Sequence, residues 1–260
     1  VGGNDDGETY VAWNWKAGNA TLGTGDFTQG DIASTCSRNV DAGFSIVSYT
    51  GNGSSDQTVG HGLSSAPEMM IVKVRDYGDH WAVFHKDIHA DPEDYYMKLN
   101  TTQDRIGATD SVWSNTAPTS SLFTIGTSSD LTGGGNTRPY IAYCWHSVEG
   151  YSKVGSYEGN NNDDGPFVYC GFRPAFVIIK DIDATGEWNM IDSARDTYNA
   201  ESDRKYLYAD DSAEEYDRTY DIDFLSNGFK INDDQDDINA AVIYIYIAFA
   251  ETPFKYSNAK

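Results

Sequence analysis

Positive charge is what this chain has least of. Its 260 residues carry 18 Lys and Arg against 40 Asp and Glu, a net charge of −22. Grip on a phosphate backbone needs clustered cations, so this balance argues against a nucleic-acid partner. It also sets the chain against anionic membrane surfaces. Three cysteines, Cys36, Cys144 and Cys170, cannot close a complete disulfide framework. A Cys144–Cys170 bridge would staple two parts of the chain together, and buried free thiols are the simpler reading. Long hydrophobic runs are missing too. The most apolar stretch, Ala240–Ala250, falls far short of the roughly 20 residues that cross a bilayer. Its β-branched and aromatic content reads as a buried strand, so membrane insertion is not expected. No cleavable leader is visible.

Catalytic signatures are absent as well. The sequence holds no Gly-x-Ser-x-Gly elbow, P-loop, His-Glu-x-x-His or Cys-x-x-Cys. With 40 carboxylates, some pair will approach glycosidase spacing in any fold, so no pair can be nominated. The expectation is a protein that is not an enzyme and requires no cofactor. No segment sustains a 3.6-residue hydrophobic period with capping signals.

What is present is a repeat. Gly43-Phe44-Ser45 with Ser48-Tyr49 and Gly51-Asn52 parallels Gly150-Tyr151-Ser152 with Ser156-Tyr157 and Gly159-Asn160. Pro67, Lys73 and Trp81 are spaced as Pro174, Lys180 and Trp188 are. Tyr140-Ile141-Ala142-Tyr143 returns as Tyr246-Ile247-Ala248-Phe249. A period of about 107 residues is too long for a solenoid and suits tandem domains. Each unit carries about seven short strand patterns punctuated by Gly, Asn and Asp. Met69–Val74 is an apolar run apart from Lys73, hence a strand buried on both faces. The fold class expected is all-β: two jelly-roll-like β-sandwich repeats at 43–149 and 150–260, preceded by a strand-and-linker segment at 1–42. Within that segment Tyr10–Lys16 repeats the closing strand of the units. Its body is missing, which points to a piece of a longer protein.

Candidate ligand residues are few. Trp113 lies in a polar stretch with Asn115 and has no equivalent in the second unit. An aromatic ring beside an amide is a common way to build a sugar-binding surface, the ring packing on C–H groups and the amide fixing hydroxyls. A Trp capping the sandwich edge is the alternative. Tyr77, Tyr95, Tyr198 and Tyr216 are weaker candidates of the same kind. Trp81 and Trp188, being equivalent, read as core. Asp163 and Asp164, and Asp233, Asp234, Asp236 and Asp237, form oxygen-dense loops; if a metal is bound, calcium there is the first choice, and solvated turns are the alternative. His80, His85 and His89 with Asp87 have strand-face spacing for a metal set, against ordinary strand and loop histidines.

The strings Tyr10-Val11-Ala12-Trp13-Asn14-Trp15-Lys16-Ala17-Gly18, His61-Gly62-Leu63, Asn115-Thr116-Ala117-Pro118-Thr119-Ser120, Gly165-Pro166-Phe167-Val168-Tyr169 and Phe224-Leu225-Ser226-Asn227-Gly228-Phe229-Lys230 resemble an uncharacterised domain family. That family recurs in structural proteins of tailed bacteriophages, marine and cyanobacterial ones above all. In fuller members a concanavalin-type, lectin-like β-sandwich precedes the Tyr-Val-Ala-Trp strand. The resemblance covers the chain from Tyr10 and supplies no functional residues. It implies a tail-fibre, spike or capsid-surface protein at the virion surface or outside the cell. Such a protein would be a homo-oligomer in contact with other virion proteins or with host-surface glycan. The alternatives are a polysaccharide depolymerase on a phage spike and a cellular surface or extracellular filament protein.

Overall fold

The computed structural model describes residues 6–252 except 19, 26, 28, 108, 129–136, 196–198, 200–203, 219–221 and 235. The strands of the first half are β1 Ser34–Asn39, β2 Phe44–Thr50, β3 Gln57–Gly60, β4 Met69–Val74, β5 Trp81–His85, β6 Met97–Lys98, β7 Leu122–Ile125 and β8 Pro139–Trp145. Those of the second are β9 Ser152–Glu158, β10 Phe167–Tyr169, β11 Pro174–Asp181, β12 Asn189–Asp192, β13 Arg204–Tyr208, β14 Tyr216–Arg218, β15 Ile222–Leu225, β16 Gly228–Ile231 and β17 Ile243–Ala250. Two single-turn helices, α1 Asp110–Trp113 and α2 Asp236–Asn239, complete the described elements with a 3₁₀ turn at Pro92–Asp94. The protein is all-β, as its patterning requires. No helix among the described residues is long and apolar enough to cross a membrane.

Two six-stranded antiparallel sheets dominate. Their orders are β1-β2-β8-β4-β5-β6 and β9-β17-β11-β12-β13-β14, and five strands of each follow the same plan. Two small sheets, β3-β7 and β10-β16-β15, repeat the correspondence on a lesser scale. Side-chain alternation decides what each face meets. In β4, Met70, Val72 and Val74 enter a core with Val59, Phe123 and Ile125 of the β3-β7 sheet. In β17, Tyr244, Tyr246 and Ala248 enter a second core with Val168, Phe229 and Ile231 of the other small sheet. The opposite faces, Met69 and Ile71 of β4 and Ile245, Ile247 and Phe249 of β17, meet in a third core drawn from both halves. The layers thus run small sheet, large sheet, large sheet, small sheet. The halves share an interior, and the central strands are buried on both sides.

The connection between halves is itself pinned. His146 N–H donates to the Gly43 carbonyl at 3.0 Å, and Tyr151 N–H to Val148 at 2.9 Å. Ser147 donates both its N–H and its hydroxyl to the Glu68 carboxylate, and its hydroxyl oxygen accepts from Val154 N–H at 2.9 Å. Gly43, at φ 61°, has no room for a side chain: a Cβ there would lie 2.6 Å from the His146 carbonyl.

The start of the chain corrects the expected strand at Tyr10–Lys16. This segment joins no sheet. Tyr10 and Val11 face solvent, while Trp13 and Trp15 turn inward, their rings 4.9 and 5.7 Å from that of Phe176. Side-chain packing, not a backbone ladder, holds it. The additional strand forms instead at β1, within the stretch expected to be a linker. There Ser34 and Cys36 point inward and Thr35 and Ser37 do not, an alternation hidden by polar composition. The three cysteines are buried and unbridged, so no Cys144–Cys170 staple exists. Burial pushes the Cys36 thiol up to about 11 and Cys170 up to about 12, which keeps both inert.

Candidate ligand groove

The inner face of the first large sheet is not fully covered. β2 supplies Phe44 and Ile46, and β8 supplies Tyr143 and Trp145 directly across from them. Ile71 of β4 lies across from Tyr143 on its other side. Trp81 opens β5, and Leu99, whose N–H donates to the Trp81 carbonyl at 3.0 Å, follows β6. With Trp15 from the leading segment these residues line an open groove of about 250 Å³. The Phe44 and Trp145 rings stack at 5.1 Å, and Tyr143 stacks on Trp145 at 6.2 Å. Trp145 is 9% exposed, and its indole N–H has no acceptor among the described residues. Flat ring faces with an unmet buried donor among them suit a ligand that is mostly C–H surface with a few oxygens.

The residues nominated from sequence fall elsewhere. Trp113 is only 1% exposed. Thr109 caps α1 by accepting from Ser111 N–H, and that turn folds the indole under the surface, edge-on to Phe84 at 5.7 Å. Its N–H donates to the Tyr95 carbonyl at 3.0 Å. Trp113 is therefore core and offers no platform, which corrects the sugar-binding expectation at this residue. Asn115 is exposed, with φ 46°. Tyr95 stacks on His89 at 4.0 Å. Tyr77 is exposed but its ring is faced by the Arg138 guanidinium at 3.9 Å. Tyr216 bonds Asp211 through its hydroxyl. Tyr198 lies outside the described residues. Among the described candidates, Tyr95 and Trp113 are the two that touch.

The two acidic loops do come together, but around an amide. Asn239 Nδ2 donates to Asn160 Oδ1 at 3.1 Å, the Asn162 carbonyl at 2.9 Å and the Asp233 carbonyl at 2.6 Å. Asn239 Oδ1 accepts from Asn160 N–H at 2.9 Å. Asp164 pairs with Lys230 at 2.8 Å, Asp163 is exposed, and the Asp237 carbonyl accepts from Asn189; Asp234 lies in the same loop and Asp236 begins α2. Among the described residues, no group of three or more His, Cys, Asp or Glu side chains is arranged to hold a metal ion. What joins the two loops in the structure is this side-chain clasp centred on Asn239. The histidines do not converge either. His85 is buried, accepts from Asp87 N–H on Nδ1 and meets the Tyr246 carbonyl through Nε2 at 3.3 Å. His80 turns to Asn100, and His89 Nδ1 accepts from Asp91 N–H.

One carboxyl is strongly perturbed. Glu187 is raised to about 7, first by a side-chain hydrogen bond to Asp210, then by burial and by repulsion from Asp210, Asp211 and Asp237. The pair sits where the halves meet: Gly186 N–H donates to the Thr102 carbonyl at 2.9 Å and the Trp188 indole to the Lys98 carbonyl at 3.0 Å. Two carboxyls in hydrogen-bond contact are closer than the roughly 5 Å or more that glycosidases use.

Sequence reasoning missed the groove because Trp81 was assigned to the core by analogy with Trp188. The available signal was the alternation in β8, where Tyr143 and Trp145 put two aromatics on one strand face beside Phe44. Fold and groove together define an all-β protein of stacked sheets with an aromatic cleft. A family model matches residues 2–253, and the chain belongs to that family, described as Domain of unknown function (DUF7483). Comparison with curated proteins and with solved structures finds no significant match.

Proposed function

We propose that this chain is a non-catalytic structural module of a tailed-phage particle that adheres to host-surface glycan. The aromatic groove carries the reading: a rigid sheet presents an uncharged concave surface whose lining includes no carboxyl group, so it is built to hold rather than to cleave. The phage setting rests on the family resemblance of the Tyr10–Gly18, Asn115–Ser120 and Phe224–Lys230 strings. Phe167 and Tyr169 of β10 and Leu225 of β15 expose a second apolar area on the outer small sheet, which suits contact with a neighbouring virion protein or another copy. Adhesion would work through many weak sites multiplied by copy number. Two measurements test this. Mass spectrometry and immunogold microscopy of purified particles should find the chain on an appendage or capsid surface. The purified chain should bind host cells, with Trp81→Ala reducing binding about tenfold or more. A chain absent from particles, or cell binding unchanged by Trp81→Ala, overturns the proposal.

A further inference from the structure

We infer that the groove is specific for a neutral saccharide and that the Trp145 indole N–H supplies its polar contact. This inference rests on the adhesion reading and narrows it. The ligand chemistry follows from four observations. The lining is aromatic and aliphatic, with the half-buried Trp15 and Trp81 offering ring surface against which pyranose C–H groups pack. No charged side chain lines it, and the chain around it carries −22. A uronate or sialylated sugar therefore finds no cation in the groove and meets a repulsive field, whereas a neutral sugar meets neither obstacle. The volume, about 250 Å³, lies at the small end of ligand sites and suits one or two sugar rings rather than a folded peptide segment. Finally, the Trp145 N–H is a donor without an acceptor, and a buried donor in that condition gains most from a ligand oxygen. Trp15 lines the same groove from a segment outside every sheet, and a sugar oxygen meets the covered indole by displacing a lining side chain such as this one.

The test uses the whole chain with ¹⁵N-labelled tryptophan. Neutral disaccharides, matched uronate and sialylated sugars and an apolar peptide are titrated while the indole N–H resonances are followed by NMR. The Trp145 signal is assigned by its loss in Trp145→Phe. Neutral sugars should shift that signal, and Trp145→Phe, which keeps a ring against Phe44, should weaken binding about tenfold or more. Acidic sugars and the peptide should leave the signal in place. Equal or tighter binding of acidic sugars or peptide, or unchanged affinity in Trp145→Phe, overturns the inference. If no sugar shifts any indole while cell binding still depends on Trp81, the neutral-saccharide inference falls and the adhesion reading stands; if cells are not bound either, both fall. The wild-type titration does not depend on the variant folding.

Discussion

At Asn239 a single amide ties together two loops, reaching Asn160 at 79 positions' remove and Asp233 at 6. Its nitrogen faces three acceptor oxygens and its own oxygen takes a backbone N–H, with the side chain fully buried. Asn239→Ala would strand those groups, and stranded buried polar groups cost about 1–3 kcal/mol each. We expect a loss of about 2–4 kcal/mol in urea unfolding. Asn239→Asp should lose more at pH 7, because it turns a carboxylate toward three oxygens, and should recover part of the loss near pH 4. Equal stability of Asn239→Asp and wild type at pH 7 would show that the clasp is idle. The clustering of Asn and Asp in both loops was legible in sequence; that Asn239, outside them, would sit at their centre was not. Trp113 teaches the converse. Its neighbours Ser114, Asn115 and Thr116 read as an exposed loop, yet a single capped turn was enough to bury the ring.

At the scale of elements, the loop after β11 and the segment after β6 form the seam between halves, and Glu187 stands on it. Its proton affinity is higher in the folded chain than its ordinary value of 4.5, reaching about 7. The folded state therefore holds the extra proton. The resulting stabilisation is complete below pH 4.5 and is lost as pH rises to about 7. His61 and His85, both lowered to about 4 by burial, act in the opposite sense: their contribution is lost as pH falls from 6.5 toward 4. Glu187→Gln keeps a hydrogen-bonding side chain and removes the titration. Its melting temperature relative to wild type should rise between pH 5 and 8; a constant difference would refute the assignment. Elements with apolar character, such as β4, β11 and β17, were readable from sequence because burial on both faces leaves a continuous hydrophobic run. Polar β1 was not, and Tyr10–Lys16 was misread because an alternating aromatic pattern says which side packs, not whether the backbone finds a ladder.

For the molecule as a whole, the third core is decisive. Residues of β2, β4 and β5 and residues of β9, β11 and β17 share it, so neither half can open without exposing apolar surface of the other. Heat unfolding should be a single transition whose calorimetric and van't Hoff enthalpies agree, and Ile247→Ala should reduce hydrogen-exchange protection in β4 and β8 as well as in β17. Two separate transitions would show independent domains. The repeat points to two similar units; the structure shows two six-stranded sheets in which five strands follow one order. Their joining was present in the sequence only implicitly. A two-layer sandwich covers one face of each strand, so the apolar run Met69–Val72 already demanded another layer, but a sequence does not say which surface provides it.

The tight crossover at residues 146–151 has one more consequence. Its hydrogen bonds, together with the shared third core, oppose rotation of the halves about it. Whatever engages the cleft meets a sheet floor set in advance, and little backbone ordering entropy is lost on contact. Changes to that floor should then be felt chiefly in how long a bound partner stays, and hardly in how fast it arrives.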